Sequence, residues 1–250
     1  MTKAIAIIPA RWGSTRFPGK ALHRVGGKPL LRHVWERCRR ARMLDSTIIA
    51  TDDMRIAEAA FEWGAEVALT SPRHKSGTDR IAEVAKKARD AGIILNVQGD
   101  EPLVDPRLLD RMVKTLRQKR AIDIVTAAHP FENLADTLSL HQVKVVTDLA
   151  GRALYFSRSL IPHPRTGAAI KFLRHQGIYG FRRKALLQFV RWKPTPLEQA
   201  ESLEQLRALE NGVTLHVLVT KHGSRGIDTP EDAAALEQLF ARAGRKAVQR

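Results

Sequence analysis

Ile93-Ile94-Leu95-Asn96-Val97-Gln98-Gly99-Asp100-Glu101-Pro102 is the stretch on which the fold turns. Its apolar start reads as a buried strand over 93–97, which Gly99 breaks. Two carboxylates, Asp100 and Glu101, then sit just past the strand end, before Pro102. In an open α/β sheet, ligands bind at the carboxyl ends of strands. A carboxylate there can hold a hard cation such as Mg²⁺, shared with substrate phosphates. A helix-capping turn with solvated acids would carry the same letters, so this stretch alone leaves both readings open.

On either side the pattern alternates. Apolar runs at 4–8, 47–50, 66–69 and 123–127 read as further strands. Amphipathic segments from about 29 to 42, ending near 63, ending near 89, and from 106 to 117 read as helices. Such βαβα order predicts an α/β fold, a mostly parallel sheet with helices on both faces. The rhythm changes after about 130. Strands are expected at 143–146, 153–157 and 177–181, helices at 183–192 and 197–209, a strand at 214–219 and a helix from 230. The chain reads as one domain over 1–250, with about 130–195 a small inserted lobe.

A second loop makes the carboxylates more specific. After the first strand comes Ile8-Pro9-Ala10-Arg11-Trp12-Gly13-Ser14-Thr15-Arg16-Phe17-Pro18-Gly19-Lys20. Two glycines permit close backbone approach, and Arg11, Arg16 and Lys20 supply cations, with hydroxyls from Ser14 and Thr15. Such a loop suits polyphosphate. It is neither a Walker loop nor G-x-G-x-x-G. A plain basic surface loop is the alternative.

Composition bounds the rest. The chain has 250 residues, 44% apolar, enough for one full core. No run approaches the ~18 apolar residues of a membrane span, and the N-terminus enters a strand without a signal-peptide pattern. The single cysteine, Cys38, falls in a helical apolar pattern and reads as packing; a cytoplasmic location is expected. The net charge of +16 is spread over outer helix faces, without zinc-finger spacing or an aromatic RNA-binding strand. Attraction for small anions is expected, and neither a membrane nor a nucleic-acid partner.

With these residues in view, the chain resembles the 3-deoxy-manno-octulosonate (KDO) cytidylyltransferases along nearly its whole length. The resemblance rests on blocks in one order: Ile8-Pro9-Ala10-Arg11 through Lys20, Ala50-Thr51-Asp52, His74-Lys75-Ser76-Gly77-Thr78-Asp79-Arg80, Asn96 through Pro102, Val143-Lys144-Val145-Val146, Ala153 through Arg158, Arg174-His175-Gln176-Gly177-Ile178-Tyr179-Gly180, Leu197-Glu198 with Leu203-Glu204-Gln205-Leu206-Arg207, and Gly226-Ile227-Asp228-Thr229-Pro230-Glu231-Asp232. It implies a Rossmann-like, glycosyltransferase-A-like nucleotidyltransferase fold. It also implies transfer of CMP from CTP to KDO for lipopolysaccharide biosynthesis, with Mg²⁺ and release of diphosphate, by a homodimer.

The resemblance implies residue roles. Arg11 and Lys20 would hold the CTP phosphates, helped by Ser14, Thr15 and Arg16. Asp100 and Asp228 would be the metal ligands, although Asp-Thr-Pro-Glu is also a good helix start. Ser76, Gly77, Thr78 and Arg80 would face cytosine and ribose. Gln98, Arg158, His175, Tyr179, Glu204 and Gln205 would line the acceptor site, with Arg158 suited to the sugar carboxylate. A lone His is also commonly a satisfied core residue. The connection from Ile161-Pro162 to Phe172 is shorter than in many relatives, close to where they form their subunit contact. Rivals are a sialic-acid or 8-amino-KDO synthetase, a basic nucleic-acid-binding protein, and an inactive nucleotide-binding regulator.

Overall fold

A computed structural model describes residues 2–13, 17–165, 170–224 and 226–248. Ser14, Thr15 and Arg16, expected at the phosphates, lie outside the described residues, as does part of the short 161–172 connection.

The first strand, β1 (Lys3–Ala10), is buried on both faces. Its side chains alternate as a pleated strand requires. Ala4, Ala6 and Ile8 enter one core cluster, and Ile5 and Ile7 enter the other. A two-residue hairpin, β2 (Arg24–Val25) and β3 (Lys28–Pro29), leads into α1 (Leu30–Arg39). This helix buries Leu30, Leu31, Val34, Trp35 and Cys38 along one stripe. It stops about a turn before the expected 42. Then follow β4 (Ser46–Thr51), α2 (Met54–Glu62), β5 (Glu66–Leu69), α3 (Gly77–Lys87), β6 (Ala91–Asn96) and α4 (Pro106–Gln118). Asp53, Ser76 and Asp105 cap the three helices, each accepting a backbone N–H near the helix start.

The later elements are β7 (Ile124–Pro130), β8 (Lys144–Thr147), β9 (Ala153–Ser157), β10 (Leu173–Arg182), α5 (Arg183–Phe189), α6 (Pro196–Glu201), α7 (Leu206–Glu210), β11 (Leu215–Val219) and α8 (Pro230–Val248). Among the described residues the main sheet runs β11-β7-β10-β6-β1-β4-β5, with the β8–β9 hairpin attached through β8 to the start of β10. The β6-β1-β4-β5 half is parallel, and so is β11 on β7. Only β10 enters antiparallel, between β6 and β7. The expected mostly parallel α/β sheet is therefore present. No helix among the described residues is long and apolar enough to cross a membrane.

Besides the early ends of α1 and of α5, which stops at Phe189 and not at 192, two elements differ from expectation. The helix expected over 197–209 is two short helices, because Ser202 adopts the left-handed conformation at φ 51 between them. The strand expected at 177–181 begins at Leu173, and a register shift between Gln176 and Tyr179 keeps its two halves paired. Strand β10 thus belongs to the central sheet, while β8 and β9 stand at its margin.

Candidate active site

A cleft of about 280 Å³ opens at the carboxyl ends of β1 and β6. Pro9, Ala10 and Arg11 come from the end of β1, and Gln98, Gly99 and Asp100 from the turn after β6. Ser76, Gly77 and Arg80 come from the start of α3, and Lys20 and Asp228 from opposite ends of the chain. Two glycines sit where segments run close together. A Cβ on Gly99 would lie 3.1 Å from the Pro9 carbonyl oxygen, and one on Gly77 would lie 3.2 Å from the Pro9 ring.

Lys20 marks the centre of charge. Its Nζ lies 2.7 Å from Asp100 Oδ2 and 3.3 Å from Asp228 Oδ1. Asp100 and Asp228, 128 positions apart in sequence, therefore face one cationic point. A backbone bond from Ile227 N to Asp100 O (2.9 Å) joins the two segments. Two carboxylates on one point form a hard-oxygen donor set, which fits Mg²⁺. Among the described residues no third His, Cys, Asp or Glu completes a metal-binding group. An ion here would draw its other ligands from substrate oxygens and water, as Mg²⁺ usually does.

The described ends of the basic loop are pinned. Gly19 N donates to Trp12 O at 3.2 Å, and Gly19 lies in the left-handed region at φ 71. The Trp12 ring packs beneath Gly19 and is covered by the Arg55 guanidinium, 3.6 Å from the ring centre. Asp53 holds that guanidinium at 2.6 Å.

Burial separates the expected nucleotide-facing residues. Arg80 is 4% exposed, and its Nη1 is bonded to Thr70 Oγ1 (2.6 Å) and paired with Asp52 (3.2 Å). Its guanidinium joins α3 to the ends of β4 and β5. Ser76 Oγ and Thr78 Oγ1 donate to the two carboxylate oxygens of Glu204, at 3.0 and 2.8 Å. Asn96 Nδ2 reaches Thr78 Oγ1 at 3.4 Å, and Gln98 Nε2 donates to Asn96 Oδ1 at 3.1 Å. One polar chain thus runs from the cleft to Glu204. Desolvation, the largest effect on Glu204, raises its pKa despite these two donors.

Tyr179, Glu204 and Gln205 come together with Thr78 around a recess of about 10 Å³, room for about one water. His175 stacks edge-on between Phe156 and Tyr179, with centroids 4.9 and 5.5 Å away. Thr126 spends its single hydroxyl proton toward the Ile178 carbonyl at 2.8 Å. His175 Nε2 lies 2.9 Å from Thr126 Oγ1, and with the hydroxyl proton spent, the ring donates its N–H to that oxygen. Desolvation lowers its pKa to about 3. Desolvation likewise raises Tyr179 well above the usual phenol range.

Arg158 lines neither cavity. Its guanidinium donates to three backbone carbonyls, those of Glu201 (2.7 Å), Leu140 (2.9 Å) and Ser202 (3.3 Å). Glu201 in turn accepts from Ser157 Oγ and Arg158 N. Fully buried Lys144 donates to the carbonyls of Ser139, Gln142 and Arg158, and burial lowers its pKa. Both cations fasten the hairpin to the chain around it.

The chain matches the cytidylyltransferase family model over residues 5–216. It is 48% identical over 246 residues to a 3-deoxy-manno-octulosonate cytidylyltransferase of Geobacter sulfurreducens, covering 94% of this chain and 98% of the relative. A second such enzyme, from Syntrophobacter fumaroxidans, is 47% identical over 243 residues, covering 96% and 97%. The chain belongs to the 3-deoxy-manno-octulosonate cytidylyltransferase family. It is an enzyme of the nucleotidyltransferase class. A solved CMP:2-keto-3-deoxy-manno-octonic acid synthetase complexed with CTP superposes with a TM-score of 0.92 at 38% identity, covering 98% of this chain and all of that one.

Within this cytidylyltransferase fold, sequence reasoning missed His74 and Lys75, which line the cleft just before the Ser76 cap. A cation in the turn before a helix start was the signal available for Lys75. Of the two adjacent carboxylates, Asp100, the one expected at the metal, lines the cleft; Glu101 has no expected role. Glu101 turns away and accepts from Ser224 Oγ. Desolvation, the largest effect, raises its pKa to about 7.

Proposed function

We propose that this chain couples CTP to KDO, giving CMP-KDO and diphosphate for lipopolysaccharide biosynthesis. The observation that carries the reading is the convergence of Lys20, Asp100 and Asp228 on one point, in a cleft floored by the strand ends of a cytidylyltransferase fold. The names of the relatives and the CTP-bound structural neighbour support the two substrates.

The anomeric oxygen of the sugar forms a bond to the α-phosphorus as the bond to the bridging oxygen breaks. The diphosphate leaves with that electron pair, and the hydroxyl proton passes to solvent. Arg11 and Lys20 hold the triphosphate, helped by Ser14, Thr15 and Arg16. The backbone at Gly77 and Gly99 lets the nucleotide approach closely, and Ser76 faces the nucleoside, while Thr78, expected beside it, lies behind on the Glu204 side. Arg80 acts from behind by fixing the start of α3. Asp100 and Asp228 hold Mg²⁺, which when bound neutralises charge on the phosphates. Positioning and field do most of the work.

Gln98, Tyr179, Glu204 and Gln205 form the acceptor side, and the polar chain from Gln98 to Glu204 links it to the nucleotide. His175 orients Tyr179 as a neutral ring, and Arg158 contributes by holding the lobe in shape. The lobe also builds a homodimer. Exposed Leu134, Leu138, Leu140, Leu149 and Leu154, close in sequence around β8 and β9, support that surface. The enzyme works in the cytoplasm.

A substrate panel tests the reading. CTP, UTP and ATP are each offered with KDO, 8-amino-KDO and sialic acid, and diphosphate release is read. CTP with KDO should dominate. Equal use of UTP would refute the nucleotide assignment, and preference for 8-amino-KDO would move the acceptor.

A further inference from the structure

The segment after β11 carries Asp228 back to the cleft, and its hold on Asp100 is indirect. Ile227 N donates to the Asp100 carbonyl, and the Ile227 side chain is buried with Phe17, Val25, Leu30 and Leu236. On the other side of the cleft wall lies Glu101, 9% exposed and absent from the cleft lining. One of its oxygens accepts from Ser224 Oγ. The other lies 3.4 Å from where a Cβ on Gly226 would stand. A single buried carboxyl therefore meets the returning segment at two points, two and four residues before Asp228. The backbone of Glu101 is fixed as well, since its N–H donates to Gln98 O and its carbonyl accepts from Val104 N. Neighbouring residues of one turn thus divide the labour, Asp100 toward the cleft and Glu101 toward the segment that brings the second carboxylate.

We infer that Glu101 is a positioning residue: through its hydrogen bond from Ser224, with Gly226 running alongside, it clamps the returning segment, holding Asp228 opposite Asp100. The inference rests on the proposed role of these two aspartates. An ion held by two protein carboxylates depends on their separation, and outer partners that orient ligands commonly carry 10- to 100-fold in metal affinity. Ser224 earns its place as the donor, and Gly226 as the point where the segment runs alongside the carboxyl, within ordinary contact of it.

The test uses Glu101→Ala, Glu101→Gln and Ser224→Ala in the full chain. Two quantities are measured: hydrogen exchange in peptides covering 221–229, and Mg²⁺ affinity by calorimetry with CTP present. Glu101→Ala and Ser224→Ala should speed exchange in that segment and weaken Mg²⁺ binding about tenfold. Glu101→Gln, which keeps an oxygen acceptor for Ser224, should restore both. Asp228→Asn is the control and should weaken Mg²⁺ without changing exchange at Ser224. Faster exchange in Glu101→Ala with wild-type Mg²⁺ affinity would overturn the inference. So would a Glu101→Gln variant as impaired as Glu101→Ala. If Asp228→Asn itself binds Mg²⁺ normally, the assignment of the aspartate pair is at fault, and the inference falls with it.

Discussion

Replacing Lys20 by Met should move metal affinity and turnover in opposite directions. In the structure the Lys20 ammonium stands where the two aspartates converge, 2.7 Å from Asp100 and 3.3 Å from Asp228. On the proposed reading it would both compete with a divalent ion for those oxygens and serve as a cation for phosphate. The Asp228 side chain is 53% exposed, so solvent screens that contact and it counts for little. The Asp100 contact is shorter and more buried, at 15% and 31% exposure. A charge-assisted hydrogen bond is worth roughly 1.5–3 kcal/mol. Taking the low end for partial exposure gives about 1.5 kcal/mol, or about tenfold. Without nucleotide, Lys20→Met should therefore bind Mg²⁺ about tenfold more tightly than wild type, read by calorimetry. Its kcat/KM for CTP should nevertheless fall ~10- to 100-fold, because the triphosphate loses a cation. Equal or weaker Mg²⁺ binding by the variant would refute the competition argument, and undiminished turnover would remove Lys20 from the phosphate site.

Chelation should abolish diphosphate release, and Asp100→Asn should lower kcat by several orders of magnitude with an unchanged circular dichroism spectrum; near-normal turnover would remove Asp100 from metal binding. Arg158→Ala should lower unfolding free energy by about 1.5 kcal/mol in a urea titration, since its half-buried bond to the Glu201 carbonyl is lost. Arg158→Lys should recover only part, because an ammonium cannot reach all three carbonyls; a wild-type urea midpoint for both variants would show the guanidinium idle. His175 gives a pH signature. Its folded pKa of about 3 lies below an unfolded value near 6.5, so below pH ~6.5 the unfolded chain binds the extra proton. Stability should fall as pH drops from ~6.5 toward 3, by at most about 1.4 kcal/mol per unit from this group. His175→Phe should flatten that slope in urea melts at pH 4 to 7, and an unaltered slope would refute neutral burial.

The alternation of strands and helices was legible because periodicity is local. Ala4 to Ile8, Ile48 to Ala50 and Ile93 to Leu95 are apolar on both faces, as a covered parallel sheet demands. The break at Ser202 was hidden, since a non-glycine residue in the left-handed region leaves no mark in composition. The cleft's location was legible from Gly99-Asp100 and from Lys20, because strand ends and glycines announce themselves. What else holds the expected cations was not. Arg80 lines the cleft, as expected, but also leans on Asp52 and Thr70. Arg158, expected at a sugar carboxylate, donates to carbonyls near the end of α6. Such partners lie 10 to 44 positions away in sequence, and no spacing rule reaches them.

Strand β10 gives the molecule a mechanical property. Its first half pairs with β8 and β7, and its second half with β6 and β7, across one register shift. The hairpin and the floor of the cleft are thus rungs on a single rail. A pull on the hairpin loads β6 directly, with no slack linker to absorb it, so the two parts should yield together under force. For anyone exchanging hairpins between relatives to alter acceptor choice, the natural cut points lie outside 173–182. A graft that severs that strand would transplant the hairpin without the ruler that sets its distance from the cleft.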